Sequence, residues 1–207
     1  MTLIDAGRRD RVHSTQLLVP AARGLAYRLL DDNRERIRHS AGVAARAATL
    51  THAVADHEAN LLVAAAWLHD IGYSSRLRDT AFHPIDGARF LRSAGWDPIL
   101  CDLVAHHSGS RFVAPLQGLG DELSEFTYEE TPVSDALTIA DQTIGPHGML
   151  FSMDERMREM LERHGPDSPN VRAHPEREPY FRSALQRVTG RLQTAGLTSP
   201  RRVREYT

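Results

Sequence analysis

Apolar residues along this chain recur mostly at three- and four-residue intervals, the period of an α-helix, and strand-like alternation is nearly absent. Leu17, Leu18, Leu25, Leu29 and Leu30 place one or two helices within residues 15–31. Residues 34–52 read as a small-residue helix in which Ala41, Ala44, Ala45, Ala47 and Ala48 let a neighbour approach closely. Residues 57–70 are apolar almost all round, from Leu61 to Leu68, and a helix without a polar face belongs at the centre of a fold. Gly72 stands where a C-terminal cap is expected.

The next helices announce their starts. His83-Pro84, Asp97-Pro98 and Thr131-Pro132 each put proline at a first helical position. Asp97 and Thr131 are also good N-caps. Helices are expected at about 84–94, 98–107 and 132–143. Ser152 and Glu155 form a capping box that opens a helix to about residue 163. A last helix, 177–194, carries Tyr180, Phe181, Leu185, Val188 and Leu192. Between these elements, residues 108–130 form a long, Gly-punctuated loop, a length that is usually functional or disordered. Residues 165–176 read as a linker, and the tail SPRRVREYT as loose.

The expected fold is all-α: a single helical bundle with a C-terminal helical extension. It divides into an N-terminal segment (1–24), the bundle (25–150) and the extension (151–207), packed on the bundle. The 177–194 helix could also pack on a second copy, making a homo-oligomer.

Composition narrows the function classes. The net charge of −2 offers no basic field for nucleic acid. No apolar run reaches the roughly 18 residues of a membrane span, and MTLIDAGRRDRVHS lacks the apolar stretch of a signal peptide. A cytoplasmic location is the expectation, in keeping with the single cysteine, Cys101. All 25 basic residues are arginine, which excludes phosphate-loop and Schiff-base lysines and leaves phosphate recognition to guanidinium groups.

The informative chemistry is an ordered set. His39 lies on the 34–52 helix, His69-Asp70 ends the apolar helix, and Asp141 follows Leu137, Ile139 and Ala140. Imidazoles and carboxylates on separate helices are what a divalent transition metal takes from an all-α scaffold. An ionised Asp70 at the end of so apolar a helix is costly without a partner, and exposed carbonyls there favour a cation. His83, at a helix start, and at least one of His106 and His107 extend the ligand set enough for two ions. Glu35 shares a face with His39 and reads as a solvated member of DDNRERIR.

These residues resemble the HD superfamily of metal-dependent phosphohydrolases, over roughly residues 25–150. His39, His69, Asp70 and Asp141 match its H…HD…D signature, and HDIG itself is present at residues 69–72. His83 and His106-His107 are similar to the further histidines of bimetallic members. The resemblance implies metal-dependent hydrolysis of a phosphate ester or anhydride in a small phosphorylated substrate, a nucleotide among the candidates. Two manganese, iron, zinc or nickel ions would be held by His39, His69, Asp70, His83, His106, His107 and Asp141, with His69 and Asp70 central to the chemistry. Arg76, Arg78 and Arg111 are the expected phosphate contacts, and the 108–130 loop a lid. Two features depart from cyclic-di-nucleotide phosphodiesterases of the superfamily: Tyr73 replaces the lysine of HDxGK, and no GYP element follows His107. The same residues also fit a di-iron oxygenase, recognisable by an oxygen requirement, or a non-catalytic nucleotide-binding module.

Overall fold

The computed structural model describes residues 17–197, all-α apart from turns and one isolated bridge between Ile144 and Leu150. A first helix, α1, covers 17–29 of the described chain. There follow α2 (Arg34–Thr49), α3 (Ala59–Leu68), α4 (His83–Ser93), α5 (Pro98–His106), α6 (Ser110–Val113) and α7 (Gly120–Leu123). The chain continues through α8 (Pro132–Asp141), α9 (Met153–Arg163), α10 (Pro169–Arg172) and α11 (His174–Thr194). The tail expected to be loose begins beyond residue 197, outside the described residues.

The starts are set locally. The side chains of Asp97, Thr131 and Ser152 accept hydrogen bonds from the backbone N–H groups of Ile99, Ser134 and Glu155, satisfying donors that a helix leaves open.

Two apolar clusters make the core, and α3 lies between them. Leu62, Ala65 and Ala66 face Val43 and Ala47 of α2, Leu137 and Ile139 of α8 and Phe181 of α11. Ala64 and Leu68 face Leu25 of α1, Ile85 of α4 and Val104 of α5. Serving both sides explains the missing polar face. The C-terminal end of α3, where His69 and Asp70 sit, thus opens at the seam of the two clusters.

Four expectations are corrected. The boundary placed at 24/25 falls inside α1, whose Ala22, Leu25, Ala26 and Leu29 enter the second cluster together. Residues 108–130 are no lid: Val113, Ala114, Leu123 and Phe126 are buried in that cluster, and the segment folds into short helices. Nor is 165–176 a linker. Ser168 caps α10, Ala173 is buried and α11 begins at His174.

Gly72 is not a helix cap either. It lies in the turn Ile71–Tyr73, where a Cβ would stand 2.0 Å from the His83 carbonyl oxygen and 2.8 Å from the Gly87 nitrogen. Glycine at 72 lets the turn after His69-Asp70 press against α4, which brings His83 to the site.

Candidate metal centre

Five elements deliver the site. His39 comes from the middle of α2, His69-Asp70 from the end of α3, His83 from the first residue of α4, His107 from the turn after α5, and Asp141 from the last residue of α8. His39, His69, Asp70, His107 and Asp141 are each at least nine-tenths buried, and His83 stands at the pocket mouth with its side chain 22% exposed.

The histidines are aimed by backbone carbonyls. Nδ1 of His39 meets the Gly145 oxygen at 3.1 Å, Nδ1 of His69 the Ala66 oxygen at 2.8 Å, and Nδ1 of His107 the Val104 oxygen at 2.6 Å. A carbonyl only accepts, so each Nδ1 carries a proton; the Nε2 of His69 and of His107 then presents a lone pair inward, while the Nε2 of His39 donates to the Asp141 carboxylate at 3.0 Å. The His69 Nε2 is buried without any hydrogen-bond partner. An orphaned acceptor at the centre of a carboxylate–imidazole cluster fits a cation ligand.

Asp70 joins two groups. Its Oδ2 lies 3.7 Å from His39 Nε2 and 3.5 Å from His69 Nε2, with Asp141 Oδ1 at 3.0 and 3.8 Å from the same two nitrogens. Its Oδ1 lies 3.3 Å from His83 Nε2 and 3.8 Å from His107 Nε2, and those two nitrogens are 3.2 Å apart. Both groups, His39–His69–Asp70 and Asp70–His83–His107, have donor atoms close enough to share an ion.

The electrostatics follow. Burial pushes the Asp70 carboxyl up, but His69, His83, Arg36 and His39 outweigh it and hold the group well below the usual carboxylate range. Asp141 is likewise held low, its burial overcome by the hydrogen bond to His39 and the nearby imidazoles. Burial pushes His83 down to about 3 and lowers His69 as well. For His39, burial is overcome by Asp141 and Asp70, and its value is raised. The deprotonated carboxylates and the neutral imidazoles of His69 and His83 are in the ligand state that metal binding requires, and His39 must release its extra proton to join them.

The outer support is specific. Arg36 donates to Asp70 Oδ2 at 3.1 Å and lies 4.7 Å over the Tyr73 ring, which stacks on His83 at 4.0 Å. Gln142 donates to Asp141 Oδ2 at 2.9 Å and to Ser108 Oγ at 2.6 Å. Asp86, one turn into α4, accepts from the N–H and hydroxyl of Thr80 at 2.9 and 2.7 Å, fixing the approach to His83. Two non-glycine residues flanking the second group, Ala81 (φ 62) and Ser108 (φ 56), occupy the left-handed region, where strain of order 1–3 kcal/mol each is typical of functional sites.

The family model for the HD domain matches residues 36–145, more than half of the chain. The chain belongs to the HD-domain family. No curated protein and no solved structure matches it. HD domains bind divalent metals and belong to a superfamily of metal-dependent phosphohydrolases, and the His/Asp groups of this HD domain could hold such an ion.

Not every expected residue reaches the site. His106 is turned away: its Nε2 lies 2.9 Å from the Phe126 oxygen and its ring packs edge-on against Tyr128. Arg76 is exposed and pairs with Asp31 at 2.9 Å, Arg78 is exposed, and neither lines the pocket beside this HD centre. Arg111 stacks among Phe112, Tyr128 and Tyr180 at 3.9–4.4 Å, also outside the pocket. Glu35 pairs with Arg36. The pocket, about 200 Å³, is instead lined by Arg36, Arg156, Arg163 and Arg177. The sequence carried a signal for three of these. Arg36 precedes His39 by three residues on one helix. Arg156 lies in the stripe Met153–Met157–Met160, and Arg177 in the stripe Tyr180–Phe181–Ala184–Val188. An arginine on an apolar face is an invitation to look for its partner.

Proposed function

We propose that this HD protein hydrolyses a phosphate ester or anhydride bond in a small phosphorylated metabolite or nucleotide, with two divalent transition-metal ions. The observation that supports it is the placement of Asp70, one oxygen toward His39 and His69 and the other toward His83 and His107. Bound divalent ions would lower the pKa of a bound water to about 7 and neutralise phosphoryl oxygens.

The chain's own residues supply the rest. His39, His69, Asp70 and Asp141 would hold one ion, and Asp70, His83 and His107 the other. Mixed imidazole and carboxylate donors suit manganese, iron, zinc or nickel. Arg36 keeps the Asp70 carboxylate ionised and oriented. Gln142 fixes Asp141. Phosphoryl transfer depends mainly on positioning and charge stabilisation, and the pocket's arginines line the space that the substrate's phosphate groups would enter. No helix among the described residues is long and apolar enough to cross a membrane, in keeping with a freely diffusing substrate and a cytoplasmic setting.

The test is metal quantification on protein purified without chelator, then a phosphatase, phosphodiesterase and nucleotide panel with added manganese or iron. His69→Ala and Asp70→Ala should lose metal and hydrolysis together. Full hydrolysis by metal-stripped wild type sinks the reading. Oxygen-dependent turnover with bound iron would instead identify an oxygenase.

A further inference from the structure

The pocket has two walls of different origin. The first carries the ligand set, from α2 to α8. The second comes from residues after Ser152, beyond the 36–145 stretch that defines the family, and consists of Arg156, Met160, Arg163, His164, Asn170 and Arg177. This second wall contains no carboxylate. Glu159, behind it, pairs with Arg156 and with Arg163 at 2.8 Å, so among the described residues the three guanidinium groups of this wall share one ion-paired carboxylate.

Arg177 is the unusual member. It is 5% exposed. Among the described residues no carboxylate lies within ion-pairing distance of it. Its Nε is buried without a partner. Its contacts are weak: Asn170 Oδ1 at 3.3 Å, the Asn170 carbonyl at 3.5 Å, the Met160 sulfur at 3.7 Å and the Phe181 ring at 5.4 Å, with Asp141 attracting it only from beyond ion-pairing distance. A buried charge left so poorly compensated is costly and is retained where something else satisfies it.

The position is also built. The Arg177 stem runs along Gly109, where a Cβ would stand 3.0 and 3.1 Å from its Cγ and Cδ. Gly109 itself (φ 66) belongs to the turn that aims His107. The same turn therefore sets a histidine on one wall and makes room for a cation on the other.

We propose that Arg177, with Arg156 and Arg163, forms an anion subsite for a second negatively charged group of the substrate. The ligand class is a bisphosphorylated or diphosphate metabolite, with one phosphoryl group at the His/Asp wall and the second on the arginine wall. The substrate half of this statement rests on the phosphohydrolase reading; the anion site itself does not.

The test uses the full-length chain, first stripped of metal and titrated calorimetrically with inorganic pyrophosphate and with inorganic phosphate. Wild type should bind pyrophosphate at least tenfold more tightly than phosphate. Arg177→Met should lose at least tenfold in pyrophosphate affinity, Arg177→Lys should recover part of it, and Arg163→Met, at the exposed rim, should lose severalfold. Without anion, Arg177→Met should melt no lower than wild type, because it removes an uncompensated charge. Pyrophosphate bound no tighter than phosphate, or equally well by Arg177→Met, overturns the proposal. So does an Arg177→Met that unfolds while Arg163→Met binds normally, which would make Arg177 a packing residue.

With metal restored, fructose 1,6-bisphosphate should be preferred over fructose 6-phosphate, and Arg177→Met should erase the preference through KM rather than kcat. Hydrolysis of both without preference overturns the substrate half. Arginine-dependent pyrophosphate binding without hydrolysis of any phosphate ester would leave the subsite standing and remove the phosphohydrolase reading.

Discussion

His106 and His107 are the same residue type in adjacent positions, and the turn after them gives them opposite surroundings. Ser108 and Gly109 take left-handed backbone angles, which sets His107 beneath Asp70 while His106 reaches the Phe126 carbonyl. Spacing alone left the choice between them open, because it depends on where the helix stops rather than on what the residues are. His107→Ala should therefore lower bound metal by about one ion per chain, measured by elemental analysis, while His106→Ala leaves the metal content unchanged. Equal loss in both variants would remove His107 from the centre.

The titration of the cluster gives a second test at this scale. In the unfolded chain the histidines take up protons near pH 6.5. In the folded chain burial holds His83 at about 3, so it refuses protons between those values, and burial lowers His69 in the same direction. The unfolded state then binds more protons, so stability drops as the pH is lowered. His39, raised by Asp141 against its burial, opposes with one proton. Asp70 and Asp141, held low, add loss in the same direction as pH drops through the ordinary carboxylate range near 3.8. The net sign is destabilisation on acidification. The urea midpoint of metal-stripped protein should be lower at pH 5 than at pH 7.5, and an unchanged or higher midpoint contradicts the protonation states assigned to the cluster.

At the scale of elements, the turn Ile71–Tyr73 docked on α4 decides whether the two groups share Asp70. The contact is backbone to backbone, so a methyl at residue 72 cannot be accommodated by a side-chain rotation. Gly72→Ala should cost at the upper end of overpacking penalties, about 3 kcal/mol, and should move His83 away. Loss of roughly one ion with His39 and His69 still bound would be read from metal content and melting temperature together. A variant as stable as wild type would mean that the turn can slide.

Element starts and periods were legible because they are local. Asp97, Thr131 and Ser152 each bond a backbone N–H two or three residues away, and the all-round apolar face of α3 marks a central helix. Gly72 was recognisable as special, but its reason was not, since a cap and a close approach both call for glycine. The 108–130 segment has no period to read. It is ordered by burying Val113, Leu123 and Phe126 against distant helices. Arg76 was misplaced for the same reason: proximity in sequence to HDIGY gave way to Asp31 on a neighbouring element.

On the scale of the whole molecule, the family match ends at residue 145, but the core does not. Met153, Met157, Tyr180, Phe181, Ala184 and Val188 join the first cluster with Val43, Leu62 and Leu137. Asp135, 1% exposed on α8, is held by Arg187 at 2.6 and 2.9 Å and by Arg191 at 2.9 Å, both from α11. Each large apolar side chain in that set contributes about 1.5–3 kcal/mol, while a whole domain retains only about 5–15 kcal/mol. Removing the extension forfeits most or all of that margin and leaves the Asp135 carboxylate without its cations. A fragment ending at residue 150 should therefore show no cooperative thermal transition and weak near-ultraviolet circular dichroism, even though it retains every proposed metal ligand. Asp135→Ala in the full chain should cost about 1.5–3 kcal/mol, in line with hydrogen bonds to charged groups, with metal content unchanged. If the fragment instead melted cooperatively near the wild-type temperature, the extension would be an accessory rather than half of the core. The arginine wall would then be a separable addition to a self-sufficient metal centre.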